Sequence, residues 1–178
     1  MYEKEGLDMN AAERREALLQ TLSQSAQPVS ATALARRFSV SRQIIVGDIA
    51  LLRAGGANIV STPRGYLVPR ESGGLLRTLV CRHSSADLGP ELIIMVDNGC
   101  TVIDVAVEHP VYGQLSGQLE LSSRYDVQEF LRRVAEEAAK PLSALTDGVH
   151  LHTLRCPDEQ AFQRVVAALD EAGFLFTE

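Results

Sequence analysis

The chain has 178 residues, 46% of them hydrophobic and 22% charged, which excludes a disordered or fibrous protein and predicts a buried core. No apolar run approaches the roughly 20 residues that cross a bilayer, and the polar N-terminus lacks the hydrophobic segment of a signal peptide. We therefore expect a cytoplasmic protein without membrane contact. Three widely spaced cysteines, Cys81, Cys100 and Cys156, are expected to be small buried side chains rather than a disulfide framework. Cys81, two residues before His83, could alternatively join a metal site.

The net charge of -6 is unevenly distributed along the chain. Residues 1–70 carry nine Lys or Arg and six Asp or Glu, a net of +3, whereas residues 71–178 carry eight and seventeen, a net of -9. Such asymmetry indicates two modules with different tasks, because a basic module can contact phosphate while an acidic one stays away from it. We expect a DNA-binding domain over residues 8–69 and a regulatory domain over residues 74–178, joined by the linker PRESGG.

The basic module predicts three helices followed by a β-hairpin. The first spans residues 11–25, Ser30 caps the second, and Ser41 caps the third, which ends at Gly55 and Gly56. Apolar residues at helical spacing are expected to form the core: Ala11, Leu18, Leu19, Leu22, Leu34, Ala35, Phe38, Ile44, Ile45, Ile49, Leu51 and Leu52. Residues 58–68 predict the hairpin, with Pro63, Arg64 and Gly65 at or near its tip. This order of elements is typical of a winged helix-turn-helix.

In such a domain the third helix enters the DNA major groove with its N-terminus first. Its first residues can read base edges, because arginine bonds guanine and glutamine bonds adenine through two hydrogen bonds each. Arginines of the second helix and of the hairpin can reach phosphates or the minor groove. The residues expected to contact DNA are Arg36, Arg37, Ser41, Arg42, Gln43 and Arg64. The alternative is a three-helix module for protein interaction, such as a dimerisation domain.

The acidic module predicts alternating strands and helices. Strands are expected over residues 75–83, 100–109, 115–121, 149–156 and 174–176. Helices are expected over residues 87–96, 126–140 and 158–172, with Asp126 as the N-cap of the second. The order βαββαβαβ indicates an α+β domain with an antiparallel or mixed sheet and helices on one face.

All four histidines lie in the acidic module. His150 and His152 project from one face of their predicted strand, because side chains on a strand alternate, so they could chelate one ion. His83 ends a strand, and Glu91 follows early in the next helix. Two or three imidazoles with one carboxylate suit a transition metal such as Ni, Zn, Fe or Co, whereas calcium and magnesium prefer oxygen ligands. From spacing alone, the alternative is a pair of surface histidines.

Residues 105–155, with HPVYGQLSGQLELSSRYDVQEFL and KPLSALTDGVHLHT, resemble the three-histidine (3H) domain. That domain follows an N-terminal helix-turn-helix in the niacin-responsive transcription repressors of the NiaR family, and the resemblance covers about residues 10–176. It implies one transition-metal ion per chain, bound by a set of four side chains: His83, Glu91, His150 and His152. His109 matches the remaining histidine of the family and is a candidate for binding the effector.

The resemblance further implies a repressor that binds operator DNA when nicotinic acid is present and shuts off genes for NAD biosynthesis or niacin uptake. Arg82 or Arg124 is a candidate partner for the carboxylate of nicotinic acid. A homodimer is expected, since a two-fold protein suits a palindromic operator. Two alternatives stand beside this hypothesis: a metal-dependent hydrolase, which lacks a clear general base, and a DNA-binding regulator that senses the metal itself or holds it for structure.

Overall fold

The computed structural model describes residues 9–69 and 73–176. The chain divides into two compact units, residues 1–71 and 72–178, and each is described by itself. Among the described residues, no helix combines the length and the apolar character that a membrane span requires.

The N-terminal unit contains three helices and a short hairpin: α1 (Ala11–Gln24), α2 (Ala31–Arg37), α3 (Arg42–Ala54), β1 (Val60–Thr62) and β2 (Gly65–Leu67). The predicted caps are present, because the Ser30 and Ser41 side chains each accept a hydrogen bond from an amide in the first turn of their helix. The buried core is the set Leu18, Leu22, Leu34, Ala35, Ile45, Ile49 and Ile59. The order helix, turn, helix, hairpin is the predicted winged helix-turn-helix.

Ala11, Ile44 and Leu51 lie outside this core, contrary to the prediction. Ile44 is 42% exposed and Leu51 is 58% exposed, and Ala11 also faces solvent. For Ile44 and Leu51 the prediction was wrong because α3 carries more apolar residues than its buried stripe of Ile45, Asp48 and Ile49 can hold, and Ala11 is exposed as the first residue of α1. The outer surface of α3 is therefore partly apolar.

A charged pair links α1 to α3. The Arg14 Nε atom donates to Asp48 Oδ2 at 2.7 Å, and Arg15 Nη1 lies 3.7 Å from Asp48 Oδ1. The Asp48 side chain is only 5% exposed, so its carboxylate depends on these cations to offset the loss of hydration. The hydrogen bond with Asp48 raises the pKa of Arg14.

We expect Asp48→Ala to lower the free energy of unfolding of the N-terminal unit by roughly 2 to 3 kcal/mol, because it leaves Arg14 unpaired. The loss stays below that of a fully buried pair, since Arg14 still reaches solvent. Urea unfolding followed by circular dichroism measures the change. Glu16→Ala, which removes an exposed acid of α1, is the matched control and should cost less than about 0.5 kcal/mol. An equally small cost for Asp48→Ala would show that the pair does not hold the two helices together.

The C-terminal unit contains four strands and three helices: β3 (Leu75–Arg82), α4 (Leu88–Asp97), β4 (Thr101–His109), β5 (Gly113–Leu121), α5 (Arg124–Glu136), β6 (Val149–Cys156) and α6 (Glu159–Glu171). The strands form one antiparallel sheet in the order β3-β6-β4-β5. Side chains from the sheet and from all three helices share a single core cluster. The α+β fold class predicted from the sequence is therefore confirmed.

Two local predictions in this unit were wrong. Helix α5 is capped by Ser123 rather than Asp126, and it ends at Glu136 rather than at residue 140. Asp126 lies in the first turn, where its carboxylate accepts from the amide and the hydroxyl of Ser122. The predicted last strand is reduced to a single β-bridge between Leu175 and Cys81.

The three cysteines are buried free thiols, as predicted. Burial raises the pKa of Cys100 to about 12. Burial, together with the nearby Glu91 carboxylate, also raises the pKa of Cys81. Such thiols behave as small hydrophobic side chains.

Candidate metal centre

Strand β6 places two histidines inside the C-terminal unit. It lies between β3 and β4, and every second residue along it is buried. His150 and His152 are each 1% exposed, so both point to the same buried side of the strand. The alternative of two surface histidines is therefore wrong.

Glu91 brings a carboxylate to these imidazoles from the first turn of α4, and His83 follows directly after β3. The Glu91 side chain is fully buried. Its Oε1 atom lies 2.9 Å from His150 Nε2, while its Oε2 atom lies 2.9 Å from His83 Nε2 and 3.4 Å from His152 Nε2. We call these four side chains the His/Glu cluster.

Each imidazole of the His/Glu cluster is oriented through its other ring nitrogen, Nδ1. The Nδ1 atoms of His83, His150 and His152 lie 2.9, 2.8 and 2.7 Å from the backbone oxygens of Ser84, Gly148 and Asp104, respectively. A carbonyl oxygen only accepts hydrogen bonds, so each Nδ1 carries the proton and donates. In a neutral imidazole this leaves the Nε2 lone pair directed at Glu91, which is the arrangement of histidine metal ligands.

In the His/Glu cluster, neutral Nε2 atoms and carboxylate oxygens are all hydrogen-bond acceptors, so none of them can donate a hydrogen bond to another. His83 Nε2, His152 Nε2 and Glu91 Oε2 are buried and lack any partner with hydrogen-bond geometry in the described residues, although they lie within ion-pair distance. Protonating all three imidazoles would bury three positive charges beside one carboxylate, which desolvation disfavours. One divalent cation in place of the three protons leaves half the net charge of the fully protonated cluster. The cation also accepts an electron pair from every ligand atom. His83, Glu91 and His150 offer ligand atoms that all lie within 4.8 Å of one another, and His152 Nε2 lies 3.4 Å from Glu91 Oε2. Imidazoles and a carboxylate at this spacing fit a transition-metal ion, with His152 as the more distant member of the set.

The carboxylate of Glu91 is held in the form that a metal ligand requires. Burial opposes its ionisation, but imidazoles of His150, His152 and His83 that carry a proton on Nε2 outweigh burial and hold the pKa of Glu91 far below its usual range, so a metal ion would displace those protons and find the carboxylate already ionised. Burial likewise opposes the charged form of His83, while Glu91 and the Ser84 carbonyl prevail and raise the pKa of His83. A proton and a metal ion thus compete for the same imidazole nitrogens.

Two of the three residues predicted to bind the effector, His109 and Arg124, do not lie at the His/Glu cluster. His109 ends β4 at the hairpin with β5, where its Nδ1 accepts from the amides of Val111 and Tyr112 at 3.2 and 3.3 Å. It lies four residues beyond Val105, the partner of His152, or about 13 Å along the strand. Arg124 is bound to Asp97, with Nε 2.7 Å from Oδ1. Arg82, in contrast, lies next to His83.

The predicted DNA-contacting residues lie in the N-terminal unit. Arg42 and Gln43 are exposed in the first turn of α3, and Arg36 and Arg37 are exposed in the last turn of α2. Ser41 caps α3 by accepting from the Ile44 amide at 3.2 Å. Arg64 lies in the turn between β1 and β2, as predicted, where it is half-buried and donates to Gln27 at 3.1 Å.

Three further exposed residues of α3, not named from the sequence, share the face of the helix that carries Gln43. Val46, Gly47 and Ala50 follow Gln43 at three, four and seven positions, so they continue its face of the helix. Val46 is 45% exposed and offers methyl groups of the kind that contact thymine. The helical spacing from Gln43 is a signal that could have identified them.

We expect Gly47→Ala to stabilise the domain and yet weaken DNA binding. A glycine inside a helix costs roughly 0.5 to 1 kcal/mol relative to alanine, and a Cβ atom here would meet nothing within 4 Å. The melting temperature should therefore rise, while a methyl group on the groove-facing side should lower operator affinity about tenfold. Thermal melts and fluorescence anisotropy measure the two effects. Gly55→Ala at the C-cap of α3 is the control and should leave affinity unchanged; unchanged affinity for Gly47→Ala would place this face away from DNA.

A winged helix-turn-helix followed by a separate domain with a buried cluster of possible metal ligands defines the class of two-domain DNA-binding regulators. The chain matches the HTH domain family over residues 14–67 and the 3H domain family over residues 76–178. It is 42% identical over 166 residues to the probable transcription repressor NiaR of Thermotoga maritima, covering 93% of this chain and 95% of that protein. It is 40% identical over 178 residues to the transcription repressor NadR of Bacillus subtilis, covering 98% and 99%.

The chain therefore belongs to the family of NiaR and NadR transcription repressors, as the sequence resemblance predicts. Its fold and its relatives make it a DNA-binding regulator rather than an enzyme, which rules out the metal-dependent hydrolase. An uncharacterized protein of Methanothermus fervidus is also similar, at 24% identity over 140 residues, which cover 72% of this chain and 22% of that longer protein.

Proposed function

We propose that this chain represses genes for NAD biosynthesis or niacin uptake, and that nicotinic acid increases its affinity for operator DNA. The observation that carries the proposal is the buried convergence of three imidazole nitrogens on one carboxylate, with Nε2 and Oε2 atoms that lack hydrogen-bond partners in the described chain. This convergence supports a ligand-responsive centre in the domain that follows the helix-turn-helix. The names of the two repressor relatives support control of transcription.

One transition-metal ion per chain, Ni, Zn, Fe or Co, is the proposed occupant of the His/Glu cluster. His83, His150 and His152 would bind it through Nε2, and Glu91 through its carboxylate. Such an ion supplies a Lewis-acidic centre. The chain's own contribution is to hold the imidazoles in one tautomer and one orientation through the backbone oxygens behind them.

DNA contact is assigned to the N-terminal unit. Ser41, Arg42 and Gln43 are proposed to reach base edges and phosphates from the start of α3, while Arg36 and Arg37 bind the phosphate backbone. Arg64 would first have to leave Gln27. A homodimer would present two α3 helices to half-sites about one helical turn apart, on chromosomal DNA in the cytoplasm.

Operator affinity in the presence of nicotinate tests the proposal. An operator selected from random-sequence DNA by the metal-loaded protein serves as the probe, and fluorescence anisotropy gives the dissociation constant. Nicotinate should strengthen binding about tenfold or more, which corresponds to a coupling of about 1.4 kcal/mol. Unchanged or weakened binding would overturn nicotinic acid as a co-repressor.

A second candidate is a regulator whose signal is the metal itself, favoured by the complete burial of Glu91 and the 1% exposure of His150 and His152. In that case the metal alone would change operator affinity, and nicotinate would add nothing. His150→Ala with His152→Ala separates a structural metal from a sensor. Loss of folding indicates a structural role, whereas loss of the response with folding and DNA binding intact indicates a sensor.

A further inference from the structure

The imidazole of His152 is held differently from the other two imidazoles of the His/Glu cluster. His83 and His150 donate to backbone oxygens one and two residues away, each within its own segment of the chain. His152 donates instead to the backbone oxygen of Asp104 on β4, which is 48 residues away in the chain. The orientation of His152 therefore depends on how β4 lies against β6, whereas the orientation of the other two imidazoles is set locally.

A β-bulge in β4 determines which part of Asp104 meets this imidazole. Val102 of β4 lies opposite Leu154 of β6. Two residues further along an unbroken antiparallel ladder, Asp104 would lie opposite His152. Strand β4 instead holds one additional residue at this point, and Asp104 lies opposite Thr153. Because side chains that lie opposite each other project from the same face of a sheet, the bulge keeps the Asp104 carboxylate off the buried face that carries His152.

Asp104 forms two hydrogen bonds with consecutive residues of β6. Its Oδ1 atom accepts from the Thr153 amide at 3.1 Å, and its backbone oxygen accepts from His152 Nδ1 at 2.7 Å. The buried place opposite His152 is taken by Val105, which packs against the core of the C-terminal unit. The carboxylate thus fixes, from one face of the sheet, the peptide group whose oxygen orients an imidazole on the other face.

His152 is also the member of the His/Glu cluster whose placement has the largest margin. Its Nε2 atom lies 3.4 Å from Glu91 Oε2, whereas each of the other two imidazoles lies 2.9 Å from a Glu91 oxygen. Hydrogen bonds to the far side of a ligand commonly change metal affinity 10- to 100-fold. We propose that Asp104 is a positioning residue of the metal centre, and that its side chain sets how closely His152 approaches a bound transition-metal ion. The inference rests on the proposed function in one respect, because the ion is the proposed occupant of the cluster.

Titration of the metal-free protein with Co²⁺ tests this role. Asp104→Val removes the acceptor for the Thr153 amide but keeps a residue that suits a strand, and it should lower Co²⁺ affinity about tenfold. Asp104→Asn retains an oxygen that can accept from that amide, so its affinity should lie within about threefold of the wild type. Glu108→Val, at an exposed position of the same strand, is the matched control and should bind Co²⁺ as the wild type does.

Two further readouts separate the positioning of His152 from a general loss of stability. In a His152→Ala background, Asp104→Val should cost no further Co²⁺ affinity, because the residue acts through that imidazole. In the metal-free protein, the NMR signal of the His152 Nδ1 proton should move in Asp104→Val, while the corresponding signals of His83 and His150 stay in place.

Equal Co²⁺ affinity in the wild type and Asp104→Val would overturn the positioning role while the metal centre stands. Equal losses in Asp104→Val and Asp104→Asn would overturn it as well, because the charge rather than the hydrogen bond would then matter. A further loss in the His152→Ala background would show a merely structural effect. If the valine variant does not fold, a hydrogen-bonded His152 Nδ1 proton in the wild type that persists in Asp104→Asn supports the role, and its absence overturns it. A wild type that binds no Co²⁺ would overturn the metal centre and this role together.

Discussion

Glu91→Gln should lower the affinity for a transition metal about 100-fold or more and leave the C-terminal unit folded. Glutamine has the shape of glutamate, but it removes the one anionic ligand among three neutral imidazoles. The glutamine amide can also donate a hydrogen bond to an imidazole Nε2 atom, which in the wild-type protein faces a carboxylate oxygen that only accepts. The metal-free variant should therefore melt no lower than the metal-free wild type. Competition with a coloured chelator measures the affinity, and circular dichroism measures the melt.

Asp97→Asn, at the other end of α4, is the matched control for this variant. It also converts an acid to its amide, but Asp97 pairs with Arg124 at the surface and is not part of the His/Glu cluster. Its metal affinity should equal that of the wild type. A Glu91→Gln affinity within about threefold of the wild type would contradict the assignment of Glu91 as a ligand.

Combining Arg42→Ala with Gln43→Ala should lower operator affinity about 100-fold while leaving metal binding unchanged. Each side chain can form a two-hydrogen-bond contact with a base, and each such contact is worth roughly 1 to 3 kcal/mol of discrimination. Both are exposed at the start of α3, so their removal should not disturb the domain core. Anisotropy titrations with the selected operator and with a scrambled duplex give the discrimination directly.

Arg36→Ala with Arg37→Ala is the comparison for this pair. Phosphate contacts do not depend on base sequence, so this variant should weaken binding to operator and scrambled DNA alike and reduce the salt dependence of affinity. If the Arg42 and Gln43 variant loses affinity for both duplexes equally, α3 does not read bases through these residues.

Local patterns in the sequence were enough to predict two helix caps, at Ser30 and Ser41, and one face of the candidate site. Ser30 and Ser41 cap their helices because the capping bond joins residues three positions apart. His150 and His152 share a face because strand side chains alternate. A cap also marks the limit of such reasoning, since Ser123 and Asp126 both precede apolar residues at helical spacing, and only the structure shows which one begins α5.

The assembly of the site depends on contacts between residues far apart in the chain. His83 meets His150 because β3 pairs with β6, and His152 is held by the Asp104 oxygen because β6 also pairs with β4. The depth of Glu91 follows from how α4 packs on the sheet, which its own sequence does not specify. The resemblance to the 3H domain pointed to the four side chains that the structure brings together in the His/Glu cluster, whereas the spacing of residues in the sequence joined only His150 and His152.

Operator binding by metal-free and metal-loaded protein, each with and without nicotinate, tests most directly whether the His/Glu cluster carries the response to the effector. If nicotinate acts through the metal-loaded His/Glu cluster, its effect on operator affinity must disappear when the metal is removed. We predict that nicotinate strengthens operator binding by the loaded protein about tenfold or more and leaves the metal-free protein unchanged. An equal gain in the metal-free protein would contradict this role of the cluster.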